Sequence, residues 1–213
     1  MHIGQLDLEQ INAELAEQSP EAIIRWALSL NKNTIMTTSF GVNSAVSLHL
    51  LSNTPESHDV PVVWVDSGYN MRDAYLVADT LMKSLELNMR IYNPLMSAER
   101  RNAILGGIPS PDEPEFDEFV HQVKLEPFSR ALDEIKPEIW ISGIRKEETE
   151  HRKNLGIVSI DGRGILKVAP LFNLTEEQVV AYMQKHQLPT CKHYFDPTKV
   201  RDDAECGLHT AIA

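Results

Sequence analysis

Residues 34–92 read TIMTTSFGVNSAVSLHLLSNTPESHDVPVVWVDSGYNMRDAYLVADTLMKSLELNMRIY, and the way short apolar runs alternate with helical patterns in this stretch decides the fold. Thr34 to Thr38 is a short β-rich run that ends at Ser39-Phe40-Gly41. The segment NSAVSLHLLS predicts a helix beginning near Asn43 or Ser44. Val60 to Asp66 is a continuous apolar run, the pattern of a strand buried on both faces. An amphipathic stretch from about Met71 to Leu87 predicts a second helix, and Met89 to Tyr92 a third strand. Strand, turn and helix repeated in this order specify parallel strands joined by crossover helices.

Outward from this unit the pattern persists. Ser19-Pro20-Glu21 opens a helix over PEAIIRWALSLN, with proline in its first turn. Gly106 to Phe119, rich in proline and acids, reads as a loop or excursion. A helix over LEPFSRALDEI precedes a strand at Glu138 to Gly143. Gly156–Ile160 and Gly164–Val168 flank an Asp161-Gly162-Arg163-Gly164 turn and predict a hairpin. Thr175 and Gln178 form a capping box at the start of a helix reaching His186. After Pro189 regular patterning disappears. The expected organisation is therefore an α/β nucleotide-binding domain over residues 1–190, with helices on both faces of a mostly parallel Rossmann-like sheet, and a mobile C-terminal tail over 191–213.

A chain of 213 residues with 42% hydrophobic and 24% charged residues has the composition of one large globular domain. The first residues lack the basic and apolar regions of a secretory signal, and no stretch approaches the ~18 apolar residues of a membrane span. A cytoplasmic protein is the expectation, and its two cysteines form no disulfide framework. A net charge of −11 argues against a nucleic-acid backbone as partner. A small anion remains compatible with that charge where a few cations converge.

Ligands of open α/β sheets bind beyond the carboxyl ends of the strands. Two motifs stand there: Ser39-Phe40-Gly41-Val42-Asn43-Ser44, whose amides and helix dipole favour an anion, and Asp66-Ser67-Gly68-Tyr69. Each also reads as a plain tight connection. Arg145, Lys146, Arg152 and Lys153 cluster after the fourth strand, with Arg163 and Lys167 at the hairpin. They fit an anion clamp or, interleaved with Glu147, Glu148 and Glu150, a solvated surface. Cys206, in Glu205-Cys206-Gly207-Leu208-His209, lies in a polar segment where burial as packing is not expected; Arg201 and His209 are cationic neighbours that would lower a thiol pKa. Cys191 reads as structural. A zinc site from Cys191, His193, Cys206 and His209 is the competing reading of these residues.

The motifs TTSFGVNSAVSLHLL, VVWVDSGY, KLEPFSRAL, GIRKEETEHRKNL, LKVAPLFN and ECGLH, in this order, resemble the phosphoadenylyl-sulfate reductases, from about Pro20 to Leu188 and again from Glu205. The resemblance implies an adenine nucleotide α-hydrolase-like fold and a thioredoxin-dependent reduction of 3′-phosphoadenylyl sulfate (PAPS) in sulfate assimilation. It makes Cys206 the nucleophile, assisted by His209, with thioredoxin or glutaredoxin as electron donor and a homodimer as the assembly. It places Ser39, Gly41 and Ser44 along the nucleotide and Asp66 and Gly68 near its adenosine end. Arg145, Arg152 and Lys167 would hold phosphate and sulfate oxygens, with Lys124 and Arg130 as further candidates. The paired cysteines of cluster-bearing relatives are missing, which implies no iron–sulfur cluster, no bound cofactor and no metal. Two departures stand out. CKHYFDPTKVRDDA replaces a longer segment before ECGLH, and SFGVNS approaches the SGGxDS loop of ATP pyrophosphatases but lacks its Asp and has one glycine where that loop has two. An ATP-pyrophosphatase-type adenylyltransferase and a non-catalytic nucleotide-binding module are the alternatives.

Overall fold

The protein is described by a computed structural model over residues 3–199. Among these residues six strands form one sheet in the order β3-β2-β1-β4-β6-β5. β1 (Thr34–Thr38) is central, with β2 (Pro61–Val65) and β4 (Ile139–Ile141) parallel to it on either side. β3 (Asn88–Tyr92) extends one edge in parallel, and β6 (Leu166–Val168) does so beyond β4. Only β5 (Val158–Ile160) runs antiparallel among these pairs, as β6's hairpin partner. That hairpin turn is fixed by the Asp161 carboxylate, which accepts from Arg163 N at 3.0 Å and Ile165 N at 2.9 Å. The mostly parallel α/β sheet is the one the sequence predicts.

The period-two alternation of the strands feeds two cores. Met36, Val62, Trp64, Ile139 and Ile141 point to one face, packing with α2 (Pro20–Ser29), α3 (Ser44–Ser52), α4 (Arg72–Ser84) and α8 (Glu176–Lys185). Ile35, Val63 and Trp140 point to the other, against Phe128, Ala131 and Leu132 of α7 (Glu126–Ile135). Helices therefore cover both faces. Predicted caps appear as drawn: Ser19 accepts from Ala22 N with Pro20 opening α2, and Thr175 and Gln178 exchange both capping-box bonds at α8.

Three helices were not legible. α1 (Leu8–Leu15) is capped by Asp7 and anchored by Asn12, whose side chain bonds Val158 in both directions at 3.0 Å, tying the helix to the β5 edge. α5 (Ala98–Leu105) buries one residue, Arg101, whose guanidinium lies 4.4 Å from the Phe119 ring centroid. A helix with an arginine on its inner face carries no apolar stripe to read. α6 (Phe116–Val120) begins inside the stretch read as a loop, because Phe116 and Phe119 are buried at helical spacing despite the acids around them.

From α6 the chain continues through a π-helical turn, His121–Leu125, directly into α7. Pro127 has no N–H to offer the preceding turn, so the ladder widens, and Glu126 N reaches back to His121 O. Lys124 rides on this widened turn.

α3 and α8 meet through a polar contact. The His49 ring nitrogen lies 2.9 Å from the Tyr182 hydroxyl, and the His49 and His186 ring centroids are 4.7 Å apart. Burial and then the Glu21 carboxylate push the Tyr182 phenol up to about 12, so it keeps its proton and donates. Burial, followed by repulsion from His186, lowers the His49 pKa, so the fold prefers a neutral imidazole there. Its contribution to stability is then complete above the ordinary histidine value of ~6.5 and is lost as pH falls toward the depressed folded value. Urea midpoints measured at pH 7.5 and pH 5 should fall for the native chain and fall less for His49→Leu; equal pH dependence in both would show that this contact does not carry the proton linkage.

Candidate active site

Between β1 and β4 the chain reverses direction across the sheet. It leaves β1 through α3 toward β2 and β3, then returns under α7 to β4. The carboxyl ends of the two strands diverge at such a point, leaving a crevice. A cavity of about 410 Å³ occupies it, lined by Thr37 to Ser39, Gly41 to Ser44, Ser47, Lys124, Ser142 to Ile144, Glu148, Thr149, Arg152, Tyr194, Asp196 and Lys199. Hydroxyls and backbone dominate its floor, and three cations and two carboxylates stand in its walls.

The first wall is the β1–α3 loop. Phe40 adopts φ 50°, a left-handed conformation that costs a residue with a Cβ roughly 1–2 kcal/mol. The position is held because the ring is fully buried and meets Trp64 edge-on, centroids 4.9 Å apart. The Thr38 hydroxyl accepts from Phe40 N at 3.1 Å. This bend lays Gly41, Val42 and Asn43 along the cavity at the start of α3, where the Asn43 side chain makes no capping bond. A Cβ on Gly41 would fall 3.3 Å from the Tyr194 ring, so glycine permits the close approach of the two walls.

Of the residues expected at the site, the structure brings together Ser39, Gly41, Ser44, Arg152 and the further candidate Lys124. Arg152 is ion-paired to Glu148 at close range, and its N–H bonds the Thr149 hydroxyl at 3.2 Å. Lys124 is paired with Asp196 and bonds the Thr198 hydroxyl at 3.0 Å. Burial pushes the Asp196 carboxyl up, but the Lys124 charge, its hydrogen bond and two bonds from Thr198 outweigh this and hold it below the ordinary carboxylate range.

Other expected residues lie elsewhere. Arg145 is 4% exposed and does not line the cavity. Its guanidinium is paired at close range with Glu176, lies 3.7 Å from Glu147 and 3.8 Å from Glu148, and bonds Leu174 O at 3.3 Å. It joins the post-β4 loop to α8, because the glutamates beside it in sequence fold onto it. Lys167 sits behind the wall, its ammonium 5.0 Å from the Trp140 ring centroid, while Trp140 in turn donates to the cavity residue Thr37 at 2.8 Å. Arg130 holds Glu126 and Asn93 O. Asp66 organises its own turn: one carboxylate oxygen accepts from Gly68 N, Asn70 and Tyr75 at 3.1, 2.9 and 2.8 Å. Gly68 takes φ 80° in that turn, packed on Ala98. Burial and the Asp66 bond push the Tyr75 phenol up to about 12.

Cys206 and His209, expected as the catalytic pair, lie outside the described residues, as does Arg201. Cys191 is 1% exposed within the larger core, and burial pushes its thiol up, which suits a structural residue. His193, its partner in the zinc reading, bonds the Asp73 carboxylate at 2.9 Å. Sequence reasoning missed Tyr194, Asp196 and Lys199 because they follow the point where periodicity ends. Asp-Pro-Thr at 196–198 is a turn signal that would have located them.

Comparison with known proteins agrees with the architecture. The phosphoadenosine phosphosulfate reductase domain family matches residues 33–197. The chain is 35% identical over 184 residues to the phosphoadenosine 5′-phosphosulfate reductase of Synechococcus sp., covering 85% of this chain and 78% of the relative. The crystal structure of a phosphoadenylyl-sulfate (PAPS) reductase from Candida auris, a phosphate complex, superposes with TM-score 0.77 at 27% identity, over 88% of this chain and 89% of that one. An FMN adenylyltransferase from Candida glabrata, with FAD and inorganic pyrophosphate, shares the fold alone: TM-score 0.54, 13% identity, 75% and 51% coverage.

The bend at Phe40 yields a direct test. Phe40→Ala keeps the left-handed backbone and empties the pocket against Trp64, so it should cost about 3–5 kcal/mol in denaturant unfolding. A loss below about 1 kcal/mol would mean that the ring does not hold the loop.

Proposed function

The chain belongs to the phosphoadenosine phosphosulfate reductase family, and from this premise we infer that it reduces PAPS to sulfite and adenosine 3′,5′-bisphosphate through Cys206. The observation that carries this reading is the cavity at the β1/β4 switch point, with Lys124, Arg152 and Lys199 in its walls and Lys199 seven residues before Cys206. Seven residues span at most about 25 Å, so the chain length between Lys199 and Cys206 is compatible with a thiol that serves the cavity even though the segment before ECGLH is short. The same pocket supports nucleotide binding by its hydroxyl-rich floor and the α3 amino terminus, where the helix dipole favours phosphate.

The chemistry follows from these groups. The Cys206 thiolate attacks the sulfonyl sulfur, a sulfur–sulfur bond forms, and the bond from sulfur to the bridging oxygen breaks. Adenosine 3′,5′-bisphosphate leaves with that electron pair. The enzyme then carries a cysteine S-sulfonate. A thioredoxin thiolate attacks the Cys206 sulfur and expels sulfite with two electrons; the second thioredoxin thiol resolves the mixed disulfide, so thioredoxin is oxidised and Cys206 restored. The cavity's cations offset the charge of the nucleotide and leaving group, and its walls hold the sulfonyl group in line. His209 stands three residues from Cys206 and would support its thiolate as a neighbouring cation. A reducing compartment such as the cytoplasm suits this cycle. An adenylyltransferase reading is disfavoured at the loop itself, where a buried Phe40 and Asn43 replace the glycine and aspartate of the pyrophosphatase sequence.

Incubation with PAPS followed by intact-mass measurement should show one sulfonate adduct. Cys206→Ser should abolish it while nucleotide binding persists; no adduct on the native chain defeats the reading. Arg152→Ala, which removes a cavity cation, should weaken nucleotide affinity by roughly tenfold or more, the range of charge-assisted hydrogen bonds. Arg145→Ala should instead lower stability and leave affinity closer to native, and the reverse ranking would reinstate Arg145 as the anion contact.

A further inference from the structure

Lys124 carries a positive charge on a flexible four-carbon stem, which by itself fixes no point in space. Here the stem rises from the π turn, and its ammonium is captured by a segment 72 residues further along. Asp196 accepts from it directly. The Thr198 hydroxyl accepts from it at 3.0 Å while donating to the other Asp196 oxygen at 2.6 Å. Thr198 N donates to that same oxygen at 3.0 Å, and Lys199 N bonds Asp196 O at 3.2 Å. The three side chains thus close a ring around a tight Asp-Pro-Thr turn, an arrangement that aspartate followed two residues later by an amide donor favours. The side chains of Lys124 and Asp196 are 13% and 6% exposed, and both residues line the cavity.

We propose that Asp196 is a positioning residue for the reduction: through the turn it shares with Thr198, it holds the Lys124 ammonium in the cavity wall at the point where the nucleotide's anionic oxygens arrive. The proposal rests on reading the cavity as the PAPS site. A carboxylate buried this deeply and bonded on both oxygens does not yield its lysine to an incoming anion without being stranded itself, so the pair stays intact when the nucleotide binds. The same ring seats residues 196–199 on the wall formed by the π turn. Placing the cation therefore also places the chain that leads to Cys206.

The test is a double-mutant cycle on steady-state PAPS reduction. Asp196→Asn keeps the shape of the side chain and removes its charge; it should raise KM by about tenfold, with kcat altered less. In a Lys124→Gln background the same change should add no more than about twofold, because the group it positions is gone. Thr198→Val, which leaves the ion pair and deletes the bridging hydroxyl, should raise KM by a smaller factor and repeats the cycle if Asp196→Asn fails to fold. Equal cost of Asp196→Asn with and without Lys124, or a KM that falls because the carboxylate competed with substrate, overturns the assignment. A native chain that releases no sulfite from PAPS overturns the functional reading with it, whereas an active native chain with an additive cycle overturns the role of Asp196 alone.

Discussion

The parallel pairing of β1 with β4, Thr34 to Met36 against Ile139 to Ile141, is the constraint on which the rest of the molecule depends. A chain that has already built outward through β2 and β3 has to return across the sheet to make it, and the returning helix must cover the opposite face. That return brings α7 and the π turn over the second core, and it opens the cavity where the two strand ends part. No side chain creates the crevice. Side chains only decide what it holds.

What it holds is an answer to an electrostatic problem. The chain carries a net charge of −11, yet its proposed ligand is a multiply charged anion. The structure meets this by local arrangement: Lys124, Arg152 and Lys199 converge on one cavity, where a low-dielectric surround strengthens their pull. Two of these cations are themselves paired with Asp196 and Glu148. Such pairs fix where each charge sits in the wall, which a long flexible side chain does not do by itself.

Much of the fold was written in periodicity, and the reasons for the exceptions are physical. Val62 to Trp64 and Ile139 to Ile141 announce strands because both faces are buried. Ser19 and Thr175 announce helix starts because capping needs those hydroxyls. α5 stayed hidden because its inner side is Arg101 stacked on Phe119, and polar inner faces have no hydrophobic signal. At the site the loop at 39–44 was legible, since a strand–turn–helix junction is a local property. The partners of the cations were not. Whether Arg145 faces a ligand or Glu176 depends on where α8 docks, and whether Lys124 is loose or fixed depends on Asp196, 72 residues away. Charge clusters read along a chain give the sign of a surface and not its geometry.

This separation between local and long-range information bears on how the proposed reaction is organised. The sulfur of PAPS has to be held still while a thiol attacks it, and then the same thiol has to be presented outward to a second protein. A rigid strand end serves the first need and cannot serve the second. On the proposed reading the two needs are divided: the cavity wall is built from β1, β4 and α3, all within the packed core, whereas Cys206 follows in sequence a non-repetitive segment fastened at Asp196. Cys206 stands seven to ten residues beyond this anchor, and a chain of that length spans at most about 35 Å, which the proposed reaction would use for both contacts. Moving the anchor nearer Cys206 would hold the sulfur over the nucleotide and hinder its release to the reductant; removing the anchor would free the thiol and forfeit the proximity that makes the first step fast.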